Sequence, residues 1–498
     1  MGELMLVLYD LTRLIARRKA KTPTGIDRVD FRYAKFFLNH KNIEVKFIIN
    51  EGGTFFLIDD ILAKTLLNIL EKKWIDERSN LSDVFLDKLI NLLFSYIRKQ
   101  FQLKNNRKIS SNNINLINYT DIMKKFLNAK PKKALGGKVT WINKLPKFIK
   151  IPLLFISGNV YYLYLKLKLT KKEDSFDNQE EQELFLDNRL KNLLISTSNI
   201  IYFNVSHHGI DNKNGFTDLI TFGVKKLYFY IHDLIPIRFP EYVRENDDIK
   251  HENRLNTVLS FKESIILTNS EYSKKDILDF IKEKNINYEN DIHVLHIGVE
   301  EHFIDKKNIS QIENKFDFFK PYFLYVSTIE PRKNHLLLLN LWRKMIELSK
   351  NKDEIPKLIL VGKRGWENQC IVAMLDRCKK INKYVIELNN LTDEELIVLY
   401  KNSQALLFPS YIEGWGMPIV ESLTLNVPVI CNNISVFKEA GQSIPEYVDV
   451  FDANKWLQII KDYSNDSLIR KKQIERIKKF KTPTWEEHFK KLEKVLKS

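Results

Sequence analysis

Residues 323–342 read FLYVSTIEPRKNHLLLLNLW, and three signals follow one another in that stretch. FLYVST is a short β-branched and aromatic run of the kind that forms a buried strand. IEPRKN is a polar turn, and leucines at helical spacing come next. The same grammar recurs outward: KLILVGK (357–363), YVIELNN (384–390), ALLFPS (405–410) and PVICNN (428–433) read as buried strands, each followed by a candidate helix. Strands alternating with helices predict a doubly wound parallel sheet, and such sheets bind ligands just beyond the carboxyl ends of their strands.

Toward the N terminus the pattern continues less regularly, with LMLVLYD, IEVKFIIN, IIYFNVS, KLYFYIHD, ESIILTNS and IHVLHIG as candidate strands. The expected fold is α/β, with two Rossmann-like doubly wound domains facing across a cleft. The first domain spans 1–305 and carries a basic, mostly helical insertion at about 74–195. The polar stretch within 306–319 is the expected linker, 320–481 the second domain, and 482–498 a closing helix that returns toward the first.

A chain of 498 residues, 44% of them hydrophobic, can bury the cores of two or three domains. Cys370, Cys378 and Cys431 make neither a CxxC pair nor an even framework, which points to reduced thiols in a cytoplasmic protein. The opening MGELMLVLYDLTRLIARRKAK runs from apolar to basic, the reverse of a secretory signal. Residues 151–165, IPLLFISGNVYYLYL, fall short of the ~20 apolar residues that span a bilayer and are broken by Pro152 and Gly158. A net charge of +16 favours an anionic partner: a phosphate-bearing substrate, a nucleic acid or an acidic membrane surface.

Two motifs carry chemistry. In the first, Arg332 and Lys333 follow a strand and lead into a helix, so two cations and free backbone N–H groups converge on one point, as a diphosphate requires. Alone, PRKN reads more readily as an exposed basic cap. In the second, PSYIEGWGMPIVESL (409–423), Gly414 and Gly416 allow the backbone close to a ligand. Glu413 and Glu421 lie eight residues apart, up to roughly 10 Å along a helix axis. The paired carboxylates of a retaining glycosidase stand ~5 Å apart across one bond; these two are better placed to touch different parts of one elongated ligand.

VSTIEPRKN, LVGKRGWE and LTDEELIVLYKNSQALLFPSYIEGWGMPIVESL, in that order, resemble the C-terminal domain of family-4 retaining glycosyltransferases of GT-B architecture. The resemblance covers about 170 residues closely and the N-terminal domain more loosely, and within the family the chain resembles bacterial mannosyl- and rhamnosyltransferases of surface-polysaccharide synthesis. It implies that Arg332 and Lys333 hold the donor diphosphate, Glu413 the donor-sugar hydroxyls and Glu421 the nucleotide ribose, with backbone N–H groups of Gly414, Trp415, Gly416 and Met417 on sugar and phosphate. Ser327 stands where many relatives have glycine, and its side chain either contacts a phosphate or shifts the loop. His232 and Asp233, in KLYFYIHDLIPIRFPEY, resemble an HDL motif that puts the histidine near the reacting carbon and the aspartate on the acceptor side. Gly25 and Arg28, in TPTGIDRVDFRYAKFF, resemble an acceptor-side segment of polysaccharide-building relatives.

The implied reaction is retaining transfer of a hexosyl unit, mannose favoured, from a nucleotide sugar to a growing surface-polysaccharide or lipid-linked glycan. HDLIP favours GDP-mannose, with dTDP-rhamnose and a UDP-hexose still open. The sequence has no GxxxxGK[ST] loop, no GxGxxG and no DxD, so neither a cofactor nor an obligatory metal is expected. Competing readings are a noncatalytic sugar-nucleotide-binding paralogue and a basic nucleic-acid-binding protein; intact PRKN, Glu413 and Glu421 argue against both. Residues 147–172, an aromatic and aliphatic run between lysines, have the composition of a segment lying on an anionic membrane face.

Overall fold

The computed structural model describes residues 5–20, 22–75, 186–304, 315–465 and 467–497. The expected membrane-facing segment 147–172, nearly all of the expected insertion and most of the expected linker lie outside them. Among the described residues no helix is long and apolar enough to cross a membrane. The chain packs as two compact units, Met1–Phe229 and Tyr230–Ser498, divided inside the fifth strand.

In the first unit β1 (Met5–Asp10), β2 (Ile43–Glu51), β3 (Thr54–Leu57), β4 (Ile200–Asn204) and β5 (Val224–Ile231) run in the order β3-β2-β1-β4-β5. The pairings of β1 with β2, β1 with β4 and β4 with β5 are parallel, and that of β2 with β3 is antiparallel. Strand β3 is absent from the sequence reading. It returns from β2 through Gly52 and Gly53, whose φ values of 61° and 92° suit a tight hairpin turn. β1 and β4 are buried on both faces and read as near-continuous apolar runs, whereas the first half of β2, with Glu44 exposed, does not. Their aromatic rings stack through the sheet, Phe203 lying 5.1 Å from Tyr228 with an interplanar angle of 6°. At the end of β1 the Asp10 carboxylate accepts from Thr12 N (2.9 Å), Tyr202 Oη (2.8 Å) and Asn204 Nδ2 (3.2 Å), tying the YDLTRL turn to β4.

In the second unit β6 (Ser264–Thr268) and β7 (Ile292–Val294) pair in parallel. A second sheet holds β8 (Tyr322–Val326), β9 (Lys357–Val361), β10 (Val385–Leu388), β11 (Leu406–Phe408), β12 (Val429–Cys431) and β13 (Glu446–Tyr447) in the order β10-β9-β8-β11-β12-β13. Its pairings are parallel. The two-residue β13 is too short to read from sequence. The leucine run after PRKN forms the helix His335–Leu348, whose fully buried Trp342 meets Phe323 edge-on at 6.0 Å and donates to Pro356 O at 2.8 Å. The helix Trp485–Lys497 packs against residues 296–300: a Cβ on Gly298 would sit 2.3 Å from Trp485 N, and Val299 N donates to Pro483 O at 2.9 Å.

Strand order reverses between β8 and β11. That switch point opens a crevice at the carboxyl ends of the two strands, where sheets of this type place ligands. IEPRKN follows β8 and PSYIEGWG follows β11.

Candidate active site

Pro331–Lys333 form a single 3-10 turn, and Asn334, with φ 56° and ψ 40°, turns the chain into the helix His335–Leu348. This turn brings the Arg332 carbonyl to Tyr411 N, which donates to it at 2.8 Å. The loops after β8 and β11 are thus joined backbone to backbone. Arg332 Nη1 donates to Glu413 Oε2 at 2.7 Å and to Ile412 O at 3.1 Å, and Lys333 Nζ donates to the other oxygen, Glu413 Oε1. A second acidic group, Glu330, lies 3.0 Å from Arg332 Nη2. Two cations and two carboxylates therefore form one buried cluster at the switch point.

The electrostatics follow from that count. Burial pushes the Glu413 carboxyl up, but Arg332 and Lys333 outweigh it and hold it at about 2, so Glu413 is an anion at any physiological pH. Burial, joined by the neighbouring Arg332 charge, lowers Lys333 below the usual lysine value. His335, at the start of the helix, is pushed down to about 3 by burial and by Lys333, and is neutral at pH 7. Ser327 Oγ faces His335 Nε2 at 3.4 Å. A Cβ on Gly362 would fall 1.8 Å from Ser327 O, so β8 and β9 approach there as only glycine allows.

The Glu413 loop is held from its other side. A Cβ on Gly414 would lie 2.8 Å from His232 O and 3.1 Å from Asp233 Cβ, and Ser270 Oγ donates to Gly414 O at 2.8 Å. Gly416 has φ 122°, a conformation that favours glycine, and Met417–Thr424 is a helix with proline in its first turn. The Trp415 ring stacks on His296 at 4.8 Å and 14°. His296 Nε2 contacts Glu439 Oε1 at 2.7 Å, and Glu439 also accepts from Glu271 N (2.7 Å) and Tyr272 N (3.3 Å) at the start of the helix Glu271–Glu283. Glu421, on the helix, accepts from Tyr400 Oη at 3.1 Å.

Ser327, Arg332, Lys333, Glu413, Gly414, Trp415, Gly416, Met417 and Glu421 thus lie on the two loops and the helix beyond β8 and β11, with His232 and Asp233 brought against Gly414. His232 is buried, its ring 4.8 Å from that of Tyr230, and its carbonyl accepts from Ser273 Oγ at 3.2 Å. Gly25 and Arg28 belong to the first unit, on the helix Gly25–Asn39, which Thr24 and Asp27 cap. A Cβ on Gly25 would meet nothing within 4 Å, so no close approach requires glycine there. The sequence reading missed Glu330, Ser270, His296 and Glu439. Each sits close to a quoted motif or strand, but only the folded chain shows its partner.

Residues 305–480 match the family model for glycosyl transferases group 1. The chain is 31% identical over 228 residues to the serotype-specific mannosyltransferase WbdA of Escherichia coli, a match covering 43% of this chain and 27% of that protein. It is 29% identical over 265 residues to O-antigen chain mannosyltransferase B of Escherichia coli, covering 51% and 66%. With O-antigen chain mannosyltransferase RfbU of Salmonella typhimurium it shares 30% over 170 residues, covering 32% and 45%. The chain thus spans about a quarter of WbdA. Among solved structures, an α,α-trehalose-phosphate synthase (UDP-forming) from Burkholderia vietnamiensis aligns with TM-score 0.45 and 12% identity over 64% of this chain and 72% of its own. S. aureus TarM aligns with TM-score 0.44 and 16% identity, over 62% and 58%. Residues 305–480 are thus similar to the glycosyl transferases group 1, and the described residues among them hold the six-stranded parallel sheet with the Arg332, Lys333 and Glu413 cluster at its switch point.

Proposed function

We propose that the protein is a retaining hexosyltransferase that moves mannose from a nucleotide sugar, GDP-mannose first, to a growing surface-polysaccharide or lipid-linked glycan. The observation that carries this reading is the convergence of Arg332 and Lys333 on Glu413 at the strand-order switch, where β8 and β11 present their carboxyl ends. The relatives named O-antigen mannosyltransferases support the choice of sugar and acceptor.

In this reading Arg332 and Lys333 face the donor diphosphate and stabilise the negative charge that grows on it as the sugar leaves. The acceptor hydroxyl attacks the anomeric carbon from the side the diphosphate departs. The new carbon–oxygen bond forms as the old one to phosphate breaks, and the hydroxyl proton passes to the departing phosphate. The two side-chain cations supply the positive charge, so the step needs no divalent metal. Glu421 takes the ribose hydroxyls, and the Gly414–Met417 backbone lines the sugar.

The test is turnover of GDP-mannose by Arg332→Ala, Lys333→Ala and the double variant. Each single loss is expected to lower kcat about 100-fold or more, as for removal of one preorganised charge-stabilising donor. Near-normal kcat/KM in the double variant would overturn the assignment.

A further inference from the structure

We propose that Glu330 is the positioning residue for Arg332: it holds one side of the guanidinium in place while Glu413 yields the other side to the donor diphosphate. This rests on the proposed function, since it assigns how that diphosphate is received.

Glu330 precedes Pro331 and is extended, with φ −147° and ψ 161°, as a residue before proline prefers. The 3-10 turn that follows folds Arg332 back so that its Nη2 lies 3.0 Å from Glu330 Oε1, while Nη1 is taken by Glu413 and Ile412 O. The two carboxylates differ in access. The side chain of Glu330 is 1% exposed, against 10% for Glu413 and 18% for Arg332. The loop after β9 closes over Glu330: Gly365 N and Asn368 Nδ2 donate to Ile329 O at 2.9 and 3.0 Å, and a Cβ on Gly365 would stand 3.6 Å from Glu330 Cβ. Neither Glu330 oxygen accepts a hydrogen bond of good geometry, so its tie to Arg332 is a charge contact in an enclosed place.

With two cations and two carboxylates the cluster is close to neutral, and an entering diphosphate must displace a carboxylate to be attracted. Glu413 is bonded to both cations and reachable from solvent, so it exchanges. Glu330 cannot be reached. It stays on Nη2, and Nη1 is left aimed at the phosphate; without that anchor the guanidinium keeps only the Ile412 carbonyl to orient it, and the buried Glu330 carboxylate without Arg332 has no counterion.

The experiment is a double-mutant cycle on nucleotide affinity, measured by titration calorimetry with GDP, UDP and the matching nucleosides. Glu330→Gln is expected to weaken the bound diphosphate tenfold or more, to leave the nucleoside unchanged, and to cost nothing further in a chain that already carries Arg332→Gln. Glu330→Asp, which keeps the charge on a shorter arm, should recover part of the loss and serves as the probe if Glu330→Gln does not fold. The same loss with and without Arg332→Gln, or an unchanged diphosphate affinity for Glu330→Gln, overturns the positioning role. A wild-type chain that binds neither diphosphate refutes the proposed function itself, and this inference with it.

Discussion

Glu413→Gln preserves the shape of a buried side chain and removes the charge that Arg332 and Lys333 share. Those cations hold the carboxyl at about 2 against an ordinary 4.5 despite a burial that pushes it up, a displacement that corresponds to about 3 kcal/mol. Two effects of opposite sign follow. Folding stability should fall by about 2–3 kcal/mol; this is below the 3–5 kcal/mol typical of breaking a buried pair, because the amide oxygen still accepts from one cation. Affinity for a nucleoside diphosphate should rise by about tenfold, or ~1.4 kcal/mol, because the phosphate no longer competes with a carboxylate for the same donors. Calorimetric titration with GDP and UDP reads the second effect, and urea unfolding reads the first. Because the folded-state value lies below the unfolded one, the Glu413 contribution is complete above pH ~4.5 and is lost as pH falls toward 2. The stability gap between wild type and variant should therefore be full at pH 7 and narrower at pH 3. Weaker diphosphate binding in the variant, with a gap that does not change with pH, would refute the competition between Glu413 and the phosphate.

Gly414→Ala places a Cβ 2.8 Å from His232 O, a backbone atom that cannot step aside cheaply; a loss of about 1–3 kcal/mol in urea unfolding is expected, and an unshifted midpoint would contradict the packing of the two loops. His488, whose Nδ1 lies 2.8 Å from His296 O, is pushed down to about 4 by burial. Its folded value lies below the unfolded 6.5, so the stability it gives is full above pH 6.5 and is lost as pH falls toward 4. Wild type should accordingly lose about 2 kcal/mol more than His488→Gln between pH 7 and pH 5, and parallel losses would show that His488 is not the group titrating.

What could be read from the sequence, and what could not, separates by the range of the physical signal. The strands flanking the switch point are buried on both faces, so FLYVST and ALLFPS announce themselves as apolar runs, and the residues that follow them are site residues by position alone. The first-sheet edge strand β3 is four residues beyond a Gly-Gly turn, and β13 is two residues long; neither is long enough to show a period. The site was legible as a list of groups but not as a circuit of charges. Arg332, Lys333 and Glu413 could each be named, yet their mutual pairing joins positions 80 and 81 residues apart, and nothing local encodes it. Ser270 reaches Gly414 across 144 residues. Glu330 was the least visible, since a polar residue before proline reads as part of a turn. Its importance arises only when Arg332 folds back onto it and the loop after β9 shuts out water. A pairing between distant residues determines whether a cation presents its charge to a substrate or has it neutralised beforehand, so the chemistry of this site depends on the tertiary contacts among residues the motifs name singly.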